Sequence, residues 1–338
     1  MNAGLLTPAV TRRDHDARRA KRDYVAFYRM LLAADPRAAS AWLNLGQALM
    51  ARGCFDEALA AIDAAIAVDK SNFLALFTRG TICKSLLLFQ DAVAAFLEAD
   101  RLRPRSAPLL LNLGNAYAEL GNCAAAESSL LKAIDADPKC AEARASLGSV
   151  YIRQGRFDLA EAACGEALAL SPGLVVAHQN LAAMLARTHP EQARTHRDAA
   201  YSRQQIFIEP APHPRWRVLV LCAADAANVP LRGLLPRASC TLINWFIEYA
   251  PPGQEAEIPP HDFAFNAIGE PEFAIASAGR MQRFIAQYQR PLLNNFEHVA
   301  RTARGEMPKL LGDIEGVVVP AVLRVTWRRR RATHRHLG

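Results

Sequence analysis

Residues 39–72 read ASAWLNLGQALMARGCFDEALAAIDAAIAVDKSN, and the residues at chosen places in this stretch return again and again along the chain. Gly46 recurs as Gly80, Gly114 and Gly148, each 34 residues after the last. Twelve residues beyond each glycine stands Ala58, Ala92, Ala126 or Ala160, and nineteen beyond it Ala65, Ala99, Ala133 or Ala167. Pro104, Pro138 and Pro172 follow the last three glycines by twenty-four; Pro36 holds that column one period earlier, with Lys70 between. A constant period of this length marks a stacked repeat architecture rather than one globular core.

The columns have a mechanical meaning. Trp42, Leu45, Gly46 and Leu49 follow the i, i+3, i+4, i+7 spacing of one helix face. Ala58, Ile62 and Ala65 form the matching face of a second helix. Glycine and alanine there let the two helices approach where a larger side chain clashes. Gly53, Gly121 and Gly155 stand where the first helix must end, since glycine accepts the left-handed conformation of a helix stop. Leu87 breaks this column, so the turn of the second repeat is expected to be less regular. Proline then interrupts the chain between repeats.

This helix–turn–helix pattern resembles the tetratricopeptide-repeat (TPR) family, strongly over Ala39 to Gly173. Residues 174 to about 205 read as a degenerate fifth unit, in which Leu181 and Leu185 keep their columns and Ala182 replaces the glycine. Asp14 to Ala34 reads as a single helix before the first unit, as expected of a cap. The expected organisation is an N-terminal helix in 1–38, an α-helical TPR solenoid over 39–208, a Pro-rich linker at 209–216, a small α/β domain over 217–325 with a mostly parallel sheet, and a basic tail at 326–338.

Stacked repeats of this kind curve, and their first helices line the inner side. Two residues before each glycine column lie Asn44, Thr78, Asn112, Ser146 and Asn180. The column resembles the asparagine ladder with which superhelical TPR proteins grip extended chains; the other reading is that these groups bond only to the neighbouring repeat. Gln47, Thr81, Lys84, Asn115, Ser149 and Arg153 flank the ladder. Leu43, Phe77 and Leu111 lie there too, with Leu43 and Phe77 equally readable as core between repeats. The mixture is apolar and weakly polar, so the expected partner is a protein or peptide presenting an extended, not strongly acidic segment.

After Ile208 the composition changes. Glu209-Pro-Ala-Pro-His-Pro214 reads as a stiff linker. Strands are expected at 218–222, 241–249, 263–268, 291–294 and 317–325, and helices at 271–289 and 296–311. Such alternation favours a parallel α/β sheet. The stretches His261 to Gly269, Pro291 to Asn294 and Gly316 to Pro320 resemble the leading domain of bacterial proteins that join TPR repeats to an ATP-grasp ligase. In that family the nucleotide and metal sites lie in a later region, so the resemblance implies a truncated or split ligase. Only 13 residues follow Val325, without Lys, Asp, Glu or Asn, and no catalytic residues and no cofactor are assigned. A TPR-linked glycosyltransferase-like protein is a further alternative, without a sugar-nucleotide motif behind it. Asp225, Asn266 and Asn294 fall near the carboxyl ends of expected strands, where a ligand crevice forms in such sheets; each is also readable as a loop-capping residue.

Composition bounds the rest. The chain has 338 residues, 51% of them hydrophobic and 22% charged, as in a folded soluble protein. No apolar run reaches the roughly 18 residues of a membrane span, and the first sixteen residues do not read as a signal peptide. Seven cysteines, none in a closely spaced pair, argue against a metal clip and for a reducing, cytoplasmic setting. The net charge of +7 falls to +2 without the five arginines of 326–338, so the basicity is local and nucleic acid is not the expected partner. That tail reads either as the product of a frameshifted or truncated gene or as a basic segment.

Overall fold

The computed structural model describes residues 24–224, 228–229, 231, 234–269, 271–295 and 299, with the backbone alone for 271–278. The expected strand at 317–325, the basic tail, Asp225 and all but one residue of the expected helix at 296–311 lie outside this set. By contact density the chain divides into two units: residues 1–216 with 235–242, and residues 217–234 with 243–338.

The first unit is a stack of helix pairs. Helix α1 covers 24–34. The pairs that follow are α2 (Ala39–Met50) with α3 (Phe55–Val68), α4 (Phe73–Ser85) with α5 (Phe89–Leu102), and α6 (Ala107–Glu119) with α7 (Cys123–Ala136). Next come α8 (Ala141–Arg153) with α9 (Phe157–Leu170), and α10 (Val175–Leu185) with α11 (Pro190–Tyr201). The last pair is the expected degenerate fifth unit. Asn72 and Asn122 cap α4 and α7 by accepting the backbone N–H of Ala75 and Ala125, at 3.0 and 3.1 Å.

Each column of small residues meets a named partner. A Cβ added at Gly46 falls 2.5 Å from Ile62 Cδ1, at Gly80 2.5 Å from the Phe96 ring, at Gly114 2.7 Å from Leu130 Cγ, and at Gly148 2.5 Å from Cys164 Sγ. The alanines of both other columns are fully buried in all four repeats. The glycine of one helix therefore receives a side chain of its mate (Ile62, Phe96, Leu130 or the smaller Cys164), and close packing holds the pair together.

The turns correct one expectation. Gly53, Gly121 and Gly155 have φ of 77°, 77° and 72°, and Leu87 takes φ of 60° in the same place. Its hydrogen bonds repeat the pattern of the glycine turns: Leu87 N–H donates to Lys84 O at 3.1 Å and Leu88 N–H to Cys83 O at 2.8 Å, as Gly53 does to Met50 and Cys54 to Leu49. The turn of the second repeat is as regular as the others, with a leucine held in a conformation that favours glycine. Leu43 and Phe77 are core: Leu43 is buried, and Phe77 packs its ring 5.9 Å from that of Phe96.

The strands are β1 (Ile206–Glu209), β2 (Trp216–Cys222), β3 (Cys240–Phe246), β4 (Phe263–Asn266) and β5 (Leu292–Leu293), in the sheet order β1-β3-β2-β4-β5. Helix α12 spans Pro271–Gln287. In the second unit β2 pairs parallel with β4, with Val218 opposite Phe263, and β4 pairs parallel with β5. An antiparallel bridge joins Asn228 and Ile268, so the mostly parallel expectation is met only in part and the sheet region is mixed. Val218 to Leu221 are wholly buried, which is why this strand reads as an unbroken apolar run. Trp245, also wholly buried, donates its indole N–H to Gln254 Oε1 at 3.0 Å. In the first unit, part of the stretch read as a linker is packed: Ala211 is buried and its N–H donates to Thr241 Oγ1 at 3.0 Å.

Candidate functional site

The polar residues of the first helices do not act as one row. Thr78 is buried and donates its hydroxyl to Leu74 O of its own helix at 2.7 Å. Thr81 does the same to Phe77 O at 3.0 Å. Asn112 donates to Pro108 O at 2.8 Å and accepts from Lys84 Nζ at 2.6 Å. Asn180 Nδ2 bonds back to the preceding repeat, to Ser149 Oγ at 2.8 Å and Ala145 O at 3.2 Å. Asn44 and Gln47 lie half-buried on α2. Much of the ladder's capacity is thus engaged within and between repeats.

A different subset converges. Lys84 from the end of α4, Asn115 from α6, and Ser146, Ser149 and Arg153 from α8 line one cavity of ≈ 410 Å³. Leu87 and Glu119 also line it, together with the apolar Phe89, Ala118 and Val150 and with Arg237 from the later segment of the same unit. Glu119 is the acidic hub: Arg153 stands 3.9 Å and Arg237 3.4 Å from its carboxylate. Arg153 also donates to the carbonyl of Ala118. Burial pushes the Lys84 ammonium below its ordinary pKa, against the opposing pull of Glu119. A second cavity of ≈ 260 Å³ shares Lys84, Leu87 and Arg237, and is lined as well by Ile208, Glu209 and Pro210. No spacing rule announces Glu119 or Arg237. Glu119 has no counterpart in the other repeats, and Arg237 reaches the cavity from beyond the repeat array.

Of the residues expected at a crevice of the sheet, Asn266 and Asn294 are brought together: Asn294 Nδ2 donates to the Asn266 carbonyl at 2.8 Å. Asn266 is wholly buried, accepts the N–H of Ile268 at 3.1 Å, and its Nδ2 has no hydrogen-bond partner. Asn294 has φ of 55°, a left-handed turn residue. Both therefore hold the chain where it leaves the sheet. Among the described residues no group of three or more His, Cys, Asp or Glu is placed to hold a metal, and no helix is long and apolar enough to cross a membrane.

The terminal repeat holds a paired histidine. His178 Nε2 lies 3.1 Å from Pro172 O and therefore donates, which leaves its Nδ1 to accept from His196 Nδ1, 2.9 Å away. Burial and the neighbouring His178 lower the pKa of His196 from 6.5, and Glu161 opposes them. A base with a depressed pKa favours its neutral form in the folded state. Its stabilisation is complete above 6.5 and is lost as pH falls through the lowered value. Protection factors of the α10 and α11 amides, corrected for the intrinsic pH dependence of exchange, are accordingly expected to fall as pH drops below 6.5, and His196→Gln to flatten that dependence. Unchanged protection in this window refutes the assignment.

Residues 39–72 and 111–175 each match a tetratricopeptide-repeat family model. A tetratricopeptide repeat protein from Parabacteroides merdae ATCC 43184 superposes with a TM-score of 0.50 at 17% identity, over 56% of this chain and 75% of that one. YrrB, described as a TPR protein with an unusual peptide-binding site, gives 0.44 at 22% identity over 52% of this chain and 92% of its own. MamA from Desulfovibrio magneticus RS-1 (residues 41 to the end) gives 0.43 at 24%, over 48% and 90%. No curated protein matches the chain. The period, the partners of the glycine column and the two family matches agree: residues 39–72 and 111–175 of this chain are tetratricopeptide repeats.

Proposed function

We propose that the chain is a protein-interaction scaffold whose repeats hold an extended peptide or protein segment along their first helices. One observation carries the reading: five side chains from three successive repeats, Lys84, Asn115, Ser146, Ser149 and Arg153, open onto a single cavity. Hydrogen-bonding groups contributed by successive repeats suit a chain that runs across the repeats. The ATP-grasp and glycosyltransferase alternatives rest on sequence resemblance and domain order alone, and both family matches lie inside the repeats.

Peptides selected from a displayed library on the full chain provide the test. Asn115→Trp with Ser146→Trp fills the cavity from two helices while leaving the buried columns untouched. Selected peptides are expected to lose affinity for this variant by about tenfold or more, a change of about 1.4 kcal/mol, with its helical circular dichroism preserved. Peptides that bind the variant as well as the parent, or a library that yields no binder, remove the groove from consideration.

A further inference from the structure

The charge of the cavity specifies its ligand further. Lys84, Arg153 and Arg237 line it against one carboxylate, Glu119. Both arginines share that carboxylate, at 3.9 and 3.4 Å, while Lys84 donates to the neutral Asn112 amide oxygen at 2.6 Å and feels Glu119 only through space. Among the described residues the adjoining cavity adds one further acid, Glu209, and no further cation. Among the described lining residues of the two cavities three cations face two carboxylates, an excess of one positive charge. A partly desolvated cation is costly without a charged partner, and the hydrogen bonds that carboxylates accept from Arg and Lys are the strong ones.

The geometry also says how the ligand is presented. The two cavities share Lys84, Leu87 and Arg237, so they adjoin at the cations, with open space on either side of them. On the other side it reaches Ser149, the residue that bonds Asn180 of the next repeat. A chain lying here runs through rather than stopping. The protein supplies its own example: β1, an extended strand ending in Glu209, lines the smaller cavity beside Lys84, Ser85 and Leu87.

We propose that the site walled by Lys84, Arg153 and Arg237 takes an acidic side chain, Asp or Glu, of an extended segment that passes through it. This rests on the groove reading and refines it, replacing the not strongly acidic partner expected when the repeats are read without Arg237.

Fluorescence anisotropy with the full chain tests it, using short amidated synthetic peptides that carry central glutamates, glutamines or lysines. A glutamine peptide with a free carboxyl terminus is the fourth probe. The glutamate peptide is expected to bind about tenfold tighter than the glutamine peptide, and its advantage to shrink as salt is raised. Arg153→Glu with Arg237→Glu is expected to erase that preference and to favour the lysine peptide instead, a gain that a misfolded variant does not show. Equal affinity for glutamate and glutamine peptides, or a preference that survives the double substitution, overturns the proposal. Tight binding of the free-carboxyl peptide alone assigns the site to a chain terminus and overturns it as well, and so does an absence of binding by all four. The groove reading fails separately, through library-selected peptides that ignore Asn115→Trp with Ser146→Trp.

Discussion

Replacement of Phe96 by alanine is expected to lower the unfolding free energy by about 3–5 kcal/mol, the range for deleting a wholly buried aromatic side chain. Phe96 has no exposed surface and is among the largest fully buried side chains. Its ring fills the space left by Gly80 in the paired helix and packs at 5.9 Å against Phe77. It belongs to the same core cluster as Leu109, Leu110 and Leu113 of the next repeat. Truncation therefore leaves a cavity at a junction between repeats, where stability is carried by nearest-neighbour interfaces. Because a repeat array can unfold in parts, denaturant melting is best paired with amide exchange, which should show the largest loss of protection in α4, α5 and α6. Leu88→Ala, at a side chain 42% exposed, is the control and should stay within about 0.5 kcal/mol of the parent. Equal effects at the two positions contradict the packing described.

Gly80→Ala is expected to destabilise by about 1–2 kcal/mol, although alanine is the better helix former by about 1 kcal/mol. The new methyl falls 2.5 Å from Phe96 Cε1, with two further ring carbons under 3 Å, and the ring is enclosed on every side. Overpacking of this kind outweighs the gain in propensity. Gly165 in α9 is the opposite case: it is exposed and nothing lies within 4 Å of an added Cβ, so Gly165→Ala is expected to stabilise by up to about 1 kcal/mol. The same substitution changes sign between two helical glycines because one faces a ring and the other faces water. A double-mutant cycle with Phe96→Leu should recover part of the Gly80→Ala loss, with a coupling of about 0.5–3 kcal/mol. Additive losses mean that the clash has been relieved elsewhere.

The repeat architecture was legible because each of its columns records a local steric requirement. Helices pair closely only where Gly46, Gly80, Gly114 and Gly148 leave room, and Gly53, Gly121 and Gly155 stop the first helix because few other residues accept their φ. Such requirements act over one helix pair, about the span of one period, and leave a mark in every copy. The buried run from Val218 to Leu221 was legible for a similar reason, since a strand covered on both faces is apolar throughout.

What escaped was decided over longer distances. Leu87 adopts the glycine turn because the helices it joins are held by Phe96 and its neighbours, and that packing offsets a backbone cost of about 1–2 kcal/mol. Strand direction is not written in an apolar pattern, so the antiparallel bridge in the sheet region went unseen. β1 is four residues long and directly follows the last repeat, too short for a periodic signal. The ladder residues were identified, but whether their amides face outward or bond to the adjacent repeat depends on where the next helix lies, as Asn180 and Ser149 show. Arg237 belongs to no repeat column; only tertiary folding carries its guanidinium to Glu119 and makes the cavity cationic. The sequence by itself determined the helix pairs and their spacing, because those follow from contacts between near neighbours in the chain. The charge of the cavity was left to the tertiary structure, because it depends on Arg237, which sequence distance separates from the repeat residues that line it.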